Sequence, residues 1–332
     1  MVFIILSQLN TQKMRNSKIV IIGSGKLTNA LVSGFINSGM NPRLITVIGR
    51  NPENLKNFLK HGVNTSCDFE EVRLAEFVIL AVTPNGAGPV LLKLKSLRFG
   101  TSHQPRSLIS FVSGLLPYKI IEVLGISSDL ITVATTNTNI SKNEGILCLL
   151  KTTNVYAQEL LEPLGKIIVE NSDADLILSI MSVGSMNAFD ARALELLYEN
   201  SNSPYSLYNW LSGLMLMFEG YETNYDSYLN VEKYISAKAK ALAWYSEVDA
   251  MLRSRMTLES TIDTLIKIGS QITIEDIRSI TKSVVTKGGC TEKGIGQINN
   301  LSDLYDSNTL KKVFTLVADR ALNFPLDVES SF

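Results

Sequence analysis

From Lys18 onward, short apolar runs alternate with segments of helical periodicity, and this rhythm constrains the fold more than any other feature of the chain. Ile19-Val20-Ile21-Ile22 reads as a buried strand that Gly23-Ser24-Gly25 breaks, after which Leu27, Ala30, Leu31, Gly34 and Phe35 recur at helical spacing. Residues 44–48 form a second β-rich run, and Asn51-Pro52-Glu53 opens a helix, Pro52 suiting its first turn. Further strands are expected at 77–82, 108–112, 130–134 and 167–169. Apolar strands separated by helices predict an α/β, Rossmann-type domain, its mostly parallel sheet covered on both faces.

After about Asn171 the texture changes. From Asp173 to about Lys282 the pattern is helical without a convincing strand; Met181, Ala188, Ala191, Leu194 and Leu197 fit one buried stripe, and residues 210–218 are largely apolar. The expected plan is an N-terminal extension (1–16), a Rossmann-type domain (17–171), an all-helical domain (172–300) and a C-terminal extension (301–332). In that last piece Leu310, Val313, Phe314 and Val317 are spaced for a helix.

Composition narrows the chemistry. The chain has 332 residues, and its 31 Lys+Arg against 32 Asp+Glu give a net charge of −1. That balance argues against nucleic-acid partners or a polybasic membrane arm. His61 and His103 are the only histidines, too few for a three-His metal centre, and no C-x-x-C pair occurs, so no metal is expected. Cys67, Cys148 and Cys290 are odd in number and far apart, which suits free thiols in a reducing cytoplasm. The leading MVFIIL run falls far short of the roughly 18 apolar residues that suggest a membrane span, and no charged segment precedes it as in a secretory signal. A soluble cytoplasmic protein follows, whose chemistry belongs to a bound cofactor.

Gly23-x-Gly25, between a strand and a helix, supplies the place for one. Gly23 permits the tight turn, Gly25 lets the backbone approach a pyrophosphate, and the helix N-terminus beyond offers N–H groups and a positive dipole end. The third glycine of the dinucleotide fingerprint is replaced by Thr28. The bland alternative is a tight turn without a ligand. Ser24, Lys26 and Leu27 complete the turn, where Lys26 either adds charge to pyrophosphate binding or points to solvent. After the second strand, Arg50-Asn51 stands where NAD-preferring domains carry an acidic residue. A guanidinium suits a 2′-phosphate, so NADPH is favoured over NADH, against the plain reading of a solvated Arg at a helix start.

Near the end, Gly288-Gly289-Cys290-Thr291 precedes the helical-looking EKGIGQI, and reads either as a glycine-rich turn or as an anion nest at a helix start. The same position is expected to lower the Cys290 thiol pKa. Asn187 and Asp190, three apart on a predicted helix, face either a cleft or solvent. His61, near a helix end, and His103, in a loop, read as non-catalytic. The stretch from Lys240 to Tyr245 reads as helix core and rim.

Several ordered motifs together resemble the pyrroline-5-carboxylate reductase family, from about Lys18 to Gln297. They are IIGSGKLTNAL; the stretch ending FVILAVTPN, with Thr83 in place of the Lys of A-V-K-P; ISFVSG at 109–114; VATTNTNISKNEG at 133–145, in the place of M-P-N-T-P; and VTKGGCT at 285–291. The resemblance implies an NAD(P)-binding domain followed by a helical, dimer-forming substrate domain. The implied activity is hydride transfer from NAD(P)H to the C=N carbon of a small-molecule imine, by default 1-pyrroline-5-carboxylate, giving proline. By position, Ala81, Val82 and Pro84 would border the cofactor, with Asn137 and Thr138 near the nicotinamide. Gly288, Gly289, Cys290 and Thr291, with Asn187, would hold the substrate, Thr291 at the reacting centre. The chain departs from the pattern at Thr135-Thr136 (for Met-Pro), at Asn139, at Met186-Asn187, at Cys290, and in the proline missing before Gly288.

Cyclic imine reduction suits a chain poor in acid–base side chains, because a protonated imine is already electrophilic whereas a carbonyl needs a positioned donor. The 3-hydroxyacid dehydrogenases, with a similar plan, place a Lys early in the helical domain; here no Lys occurs between Asp173 and Lys233. The competing expectation is a relative that has lost this chemistry and binds NAD(P)H or a small ligand in a regulatory role.

Overall fold

The computed structural model describes residues 16–101, 107–152, 154–180, 192, 195, 196, 275, 278, 285, 289–300, 303 and 307–323. The N-terminal run, His103, Met186, Asn187, Asp190, the stripe from Met181 to Leu197, segments 210–218 and 240–245, and Gly288 lie outside the described residues. The chain divides into two compact units, Met1–Ile177 with Asn323–Phe332, and Leu178–Leu322.

The first unit is built on one eight-stranded sheet of order β3-β2-β1-β4-β5-β6-β7-β8. The strands are β1 (Ile19–Ile22), β2 (Ile45–Ile48), β3 (Asn64–Ser66), β4 (Phe77–Leu80), β5 (Ser107–Ser110), β6 (Ile131–Thr136), β7 (Gly145–Leu150) and β8 (Gly165–Glu170). All neighbours pair in parallel except β6 and β7, which are antiparallel. The expected mostly parallel, doubly covered sheet is therefore present. Two of its strands, β3 and β7, were not expected.

Both faces of the central strands are buried, which is why they read as unbroken apolar runs rather than alternating ones. Ile19, Ile21, Phe77 and Ile79 pack with side chains from helices α1 (Lys26–Asn37), α2 (Pro52–Leu59) and α5 (Val155–Leu161). Val20, Ile22, Val78 and Leu80 pack on the other face with α3 (Pro84–Ser96), α4 (Pro117–Leu124) and Leu176 of α6 (Asp173–Ser179). Each fully buried Ile, Leu or Phe here contributes ~1.5–3 kcal/mol relative to exposure.

Helix α1 is drawn close to the segment that follows β6. A Cβ at Gly34 would strike the Ile140 carbonyl oxygen and come within 2.9 Å of Leu164 Cδ2. Asn143, at φ +63, donates from Nδ2 to the carbonyls of Gly34 (2.9 Å) and Pro163 (2.7 Å), and Asn37 Nδ2 donates to the Ser141 carbonyl (2.8 Å). The turn after β6 is thus fastened to the helix that follows β1.

In the second unit, α7 (Cys290–Ile295) and α8 (Ser307–Leu322) are in contact. The latter is the helix expected in the tail, with Val313, Val317 and Ala321 on its buried side. No helix among the described residues is long and apolar enough to cross a membrane.

Candidate dinucleotide-binding site

The parallel strands end in line. Ile22 pairs with Ile48 and with Leu80, Leu80 with Ser110, and Ser110 with Val133. The turns after β2, β1, β4, β5 and β6 therefore leave from one end of the sheet. The chain runs from β1 outward to β2 and β3, then returns to β4 on the other side of β1, so the strand order reverses between β1 and β4. Such a switch point opens a crevice beyond the carboxyl ends of the strands.

Gly23 sits in that crevice at φ +129, and a Cβ there would collide with the Ala81 carbonyl oxygen and lie 2.8 Å from its carbon. Its N–H donates to the Ile48 carbonyl at 2.8 Å, while Ala81 N–H donates to the Ile22 carbonyl at 2.9 Å. The turn is gripped by the strands on both sides.

Gly25 is different. Its backbone (φ −93, ψ −170) is accessible to any residue, and an added Cβ would meet nothing within 4 Å. Neither conformation nor protein packing calls for glycine; what the missing side chain preserves is open space over the start of α1. No side chain caps α1, and its first turn holds no acidic residue. The arrangement fits a phosphate, which would take the space and the helix N–H groups.

Thr28 occupies the third glycine position. It is fully buried, and its hydroxyl donates to the Gly23 carbonyl oxygen at 3.0 Å, tying the helix back to the turn. Ser24 lies against Gly49, where a Cβ would come within 3.1 Å of Ser24 Cβ, so that glycine lets the turn approach the end of β2.

Lys26 and Arg50 are exposed and make no ion pair among the described residues, which leaves both cations available to an anion at this end. Asn51 has structural work: its Oδ1 accepts the Glu53 N–H at 2.9 Å and caps α2. Ala81 and Val82 are half-buried after β4, and Pro84 starts α3, whose N-cap Thr83 makes no side-chain capping bond. Asn137 is buried, with Oδ1 accepting from Asn139 N–H at 3.2 Å, whereas Thr138 is exposed. Gly23, Ser24, Gly25, Lys26, Leu27, Arg50, Asn51, Ala81, Val82, Pro84, Asn137 and Thr138 therefore all stand in the turns or helix starts that follow the strands at the same sheet end. The hydroxyl lock of Thr28 and the clamp of Asn143 were missed, because neither leaves a spacing pattern.

In the second unit, Gly289 is the uncapped N-cap of α7, Cys290 is buried and Thr291 half-buried. The expectation of a lowered Cys290 pKa is overturned. Burial pushes the thiol up, and the charge of Arg320 offsets this only in part. Desolvation of a thiolate outweighs what one turn of helix can return.

Residues 18–114 match the family described as NADP oxidoreductase, coenzyme F420-dependent. No curated protein sequence matches the chain. Among solved structures, a pyrroline-5-carboxylate reductase from Coxiella burnetii superposes with a TM-score of 0.51 at 24% identity, covering 93% of this chain and 98% of that one. The Plasmodium falciparum pyrroline carboxylate reductase with NADP bound gives a TM-score of 0.51 at 18% identity, with the same coverage. This chain thus has the fold of the pyrroline-5-carboxylate reductases, with a nucleotide-type turn in the segment that matches the oxidoreductase family.

Proposed function

We propose that the protein is an NADPH-dependent reductase of a cyclic imine, by default converting 1-pyrroline-5-carboxylate to proline. The observation that supports the cofactor half is Gly25, whose missing side chain leaves open space over the uncapped start of α1. Gly23, Ser24, Gly25, Lys26 and Leu27 hold the pyrophosphate, and Arg50 beside Asn51 receives the 2′-phosphate that distinguishes NADPH from NADH. Ala81, Val82 and Pro84 wall the crevice beyond β4. Bound NADPH supplies the hydride; the protein orients it and keeps water out.

The substrate half rests on the resemblance of residues 285–291 to the family loop. In this reading Gly288, Gly289, Cys290 and Thr291, with Asn187, hold the substrate carboxylate and place the imine, Thr291 lying at the reacting nitrogen. A raised Cys290 pKa keeps that thiol neutral, as suits a neighbour of a carboxylate. The protein works as a homodimer formed by the helical domain at 172–300, in the cytoplasm, where Cys67, Cys148 and Cys290 stay free thiols.

The test is consumption of NADPH, followed by the absorbance of the reduced nicotinamide, with 1-pyrroline-5-carboxylate and other cyclic imines. Turnover with formation of the saturated amine is expected. NADPH binding without turnover of any imine would instead favour a regulatory or binding relative, the reading suggested by the departures at Thr135 and Thr136.

A further inference from the structure

The two edges of the sheet are unlike. At one, β3 is three polar residues, Asn64, Thr65 and Ser66, too short and hydrophilic to recruit another strand. At the other, β8 runs for six residues, GKIIVE, and pairs with β7 alone. An apolar edge without proline invites further pairing unless it is covered, bent or charged. Its exposed charge is Lys166, which makes no ion pair among the described residues.

The ladder shows which backbone groups of β8 are open. Lys151 N–H donates to the Glu170 carbonyl at 2.7 Å, so Glu170 turns its backbone groups toward β7, and by alternation Ile168 and Lys166 do the same. Ile167 and Val169 therefore turn theirs outward. The Ile167 side chain packs on the face that holds α1, α2 and α5, and Val169 shares that face at 45% exposure. Helix α5 touches β8 and opens with exposed Val155 and Tyr156, shortly after Leu150, the β7 partner of Glu170. An apolar patch thus flanks the open edge.

This edge is complementary to itself. In an antiparallel pair of two β8 strands centred on Ile168, the open groups of Ile167 meet those of Val169 on the second copy, and the reverse. Lys166 then stands opposite Glu170 of the second copy in a non-hydrogen-bonded pair, where side chains lie closest. Ile167 faces Val169 on the side where Val155 and Tyr156 are exposed. Centring on Ile167 would instead set Lys166 against Ile168, and centring on Val169 would set Glu170 against Ile168. We infer that β8 is a self-association edge, joining two copies of this chain antiparallel about Ile168 so that their sheets run on as one. Such a contact is isologous and adds to the helical-domain dimer proposed above. β8 lies at the sheet edge, away from the β1/β4 switch point, so the contact stands apart from the cofactor reading.

The experiment uses the full chain with its exposed native thiol removed by Cys67→Ser. Ile168→Cys places two thiols across the centre, with Cα atoms about 4.5 Å apart, within the span of a disulfide. Lys166→Cys sets them about 13 Å apart, beyond that span. Mild oxidation is expected to give a covalent dimer with Ile168→Cys and none with Lys166→Cys. Val169→Pro removes only an outward N–H, and Lys166→Glu sets like charges against each other. At protein concentrations where the wild type associates, each is expected to lower the mass in sedimentation about twofold. Lys166→Glu, at an exposed side chain, keeps the test decisive should the proline disturb β8. Absence of the Ile168→Cys dimer, equal cross-linking at 166 and 168, or an unchanged mass in Lys166→Glu overturns the self-association edge.

Discussion

The Thr28 hydroxyl donates to the Gly23 carbonyl oxygen at 3.0 Å, closing the glycine turn with a bond from the helix it launches. Thr28 is fully buried, so removing its hydroxyl leaves that carbonyl short of a partner with no solvent nearby on the Thr28 side. Thr28→Val is expected to cost about 1–2 kcal/mol and Thr28→Ser much less. Urea denaturation of the two variants checks this; equal midpoints would deny the bond its role.

Gly23 and Gly25 predict opposite behaviour from the same substitution. Gly23→Ala forces a side chain into the Ala81 backbone at φ +129, and at least about 2 kcal/mol of stability is expected to be lost. Gly25→Ala fits the protein without strain and is expected to leave stability unchanged or raise it by about 0.5 kcal/mol. Its effect should appear on ligand binding instead, as a loss of NADPH affinity of tenfold or more. Undiminished binding by a folded Gly25→Ala variant would show that no phosphate uses that space.

Arg50 is exposed and free of ion pairs among the described residues, so its removal should not disturb the fold. Arg50→Ala is expected to lower affinity for NADPH and leave NADH nearly unchanged, with the NADPH effect shrinking as salt is raised. A preserved NADPH-over-NADH ratio in equilibrium titrations would remove Arg50 from the 2′-phosphate site.

What the sequence made legible follows from which forces act locally. Strands β1, β2 and β4 announce themselves because both faces are buried, and residues 108–112 mark β5 within two residues, Val112 falling in the turn beyond it. β3 carries only Asn64, Thr65 and Ser66 at the sheet edge, and offers no apolar run. β7 does have one, from Ile146 to Leu150, yet it follows β6 without an intervening α-helix and runs antiparallel, so the strand–helix rhythm passes over it. The glycine turn was readable because the positive φ of Gly23 and the nearby Ala81 backbone demand glycine there. The bond of Thr28 and the burial of Cys290 arise only once the chain has folded.

Ser107 and Thr132 project from neighbouring strands into the face that also holds Ile109, and their hydroxyls are sealed without partners. Each carries a desolvation cost that a methyl or hydrogen in its place would not. Thr132→Val is nearly isosteric and is expected to raise stability by about 1 kcal/mol, with Ser107→Ala smaller because it also gives up contacts. A rise in the urea midpoint for Thr132→Val checks the packing of this face; a fall would mean that the hydroxyl is satisfied after all.

Glu195 in the second unit accepts from Arg192 Nη1 at 2.9 Å on one oxygen and from Arg278 Nε at 3.0 Å on the other. Burial acts to raise its carboxyl pKa, but the hydrogen bonds and charges of the two guanidinium groups outweigh it and hold the carboxyl below its ordinary 4.5. A folded-state pKa below the unfolded one means that, through this range, the unfolded chain binds more protons. The stability this group contributes is therefore complete above the unfolded value and is lost as pH falls through the folded one. Glu195→Gln keeps the shape but removes the charge, and is expected to cost about 1 kcal/mol at pH near 7. Because acid removes the same charge from the wild type, the gap between the two urea midpoints should narrow as pH drops below about 4.5. A gap that stays constant from neutral pH into that acid range would show that shape alone, and not the ionised carboxylate, holds Arg192 and Arg278 in place.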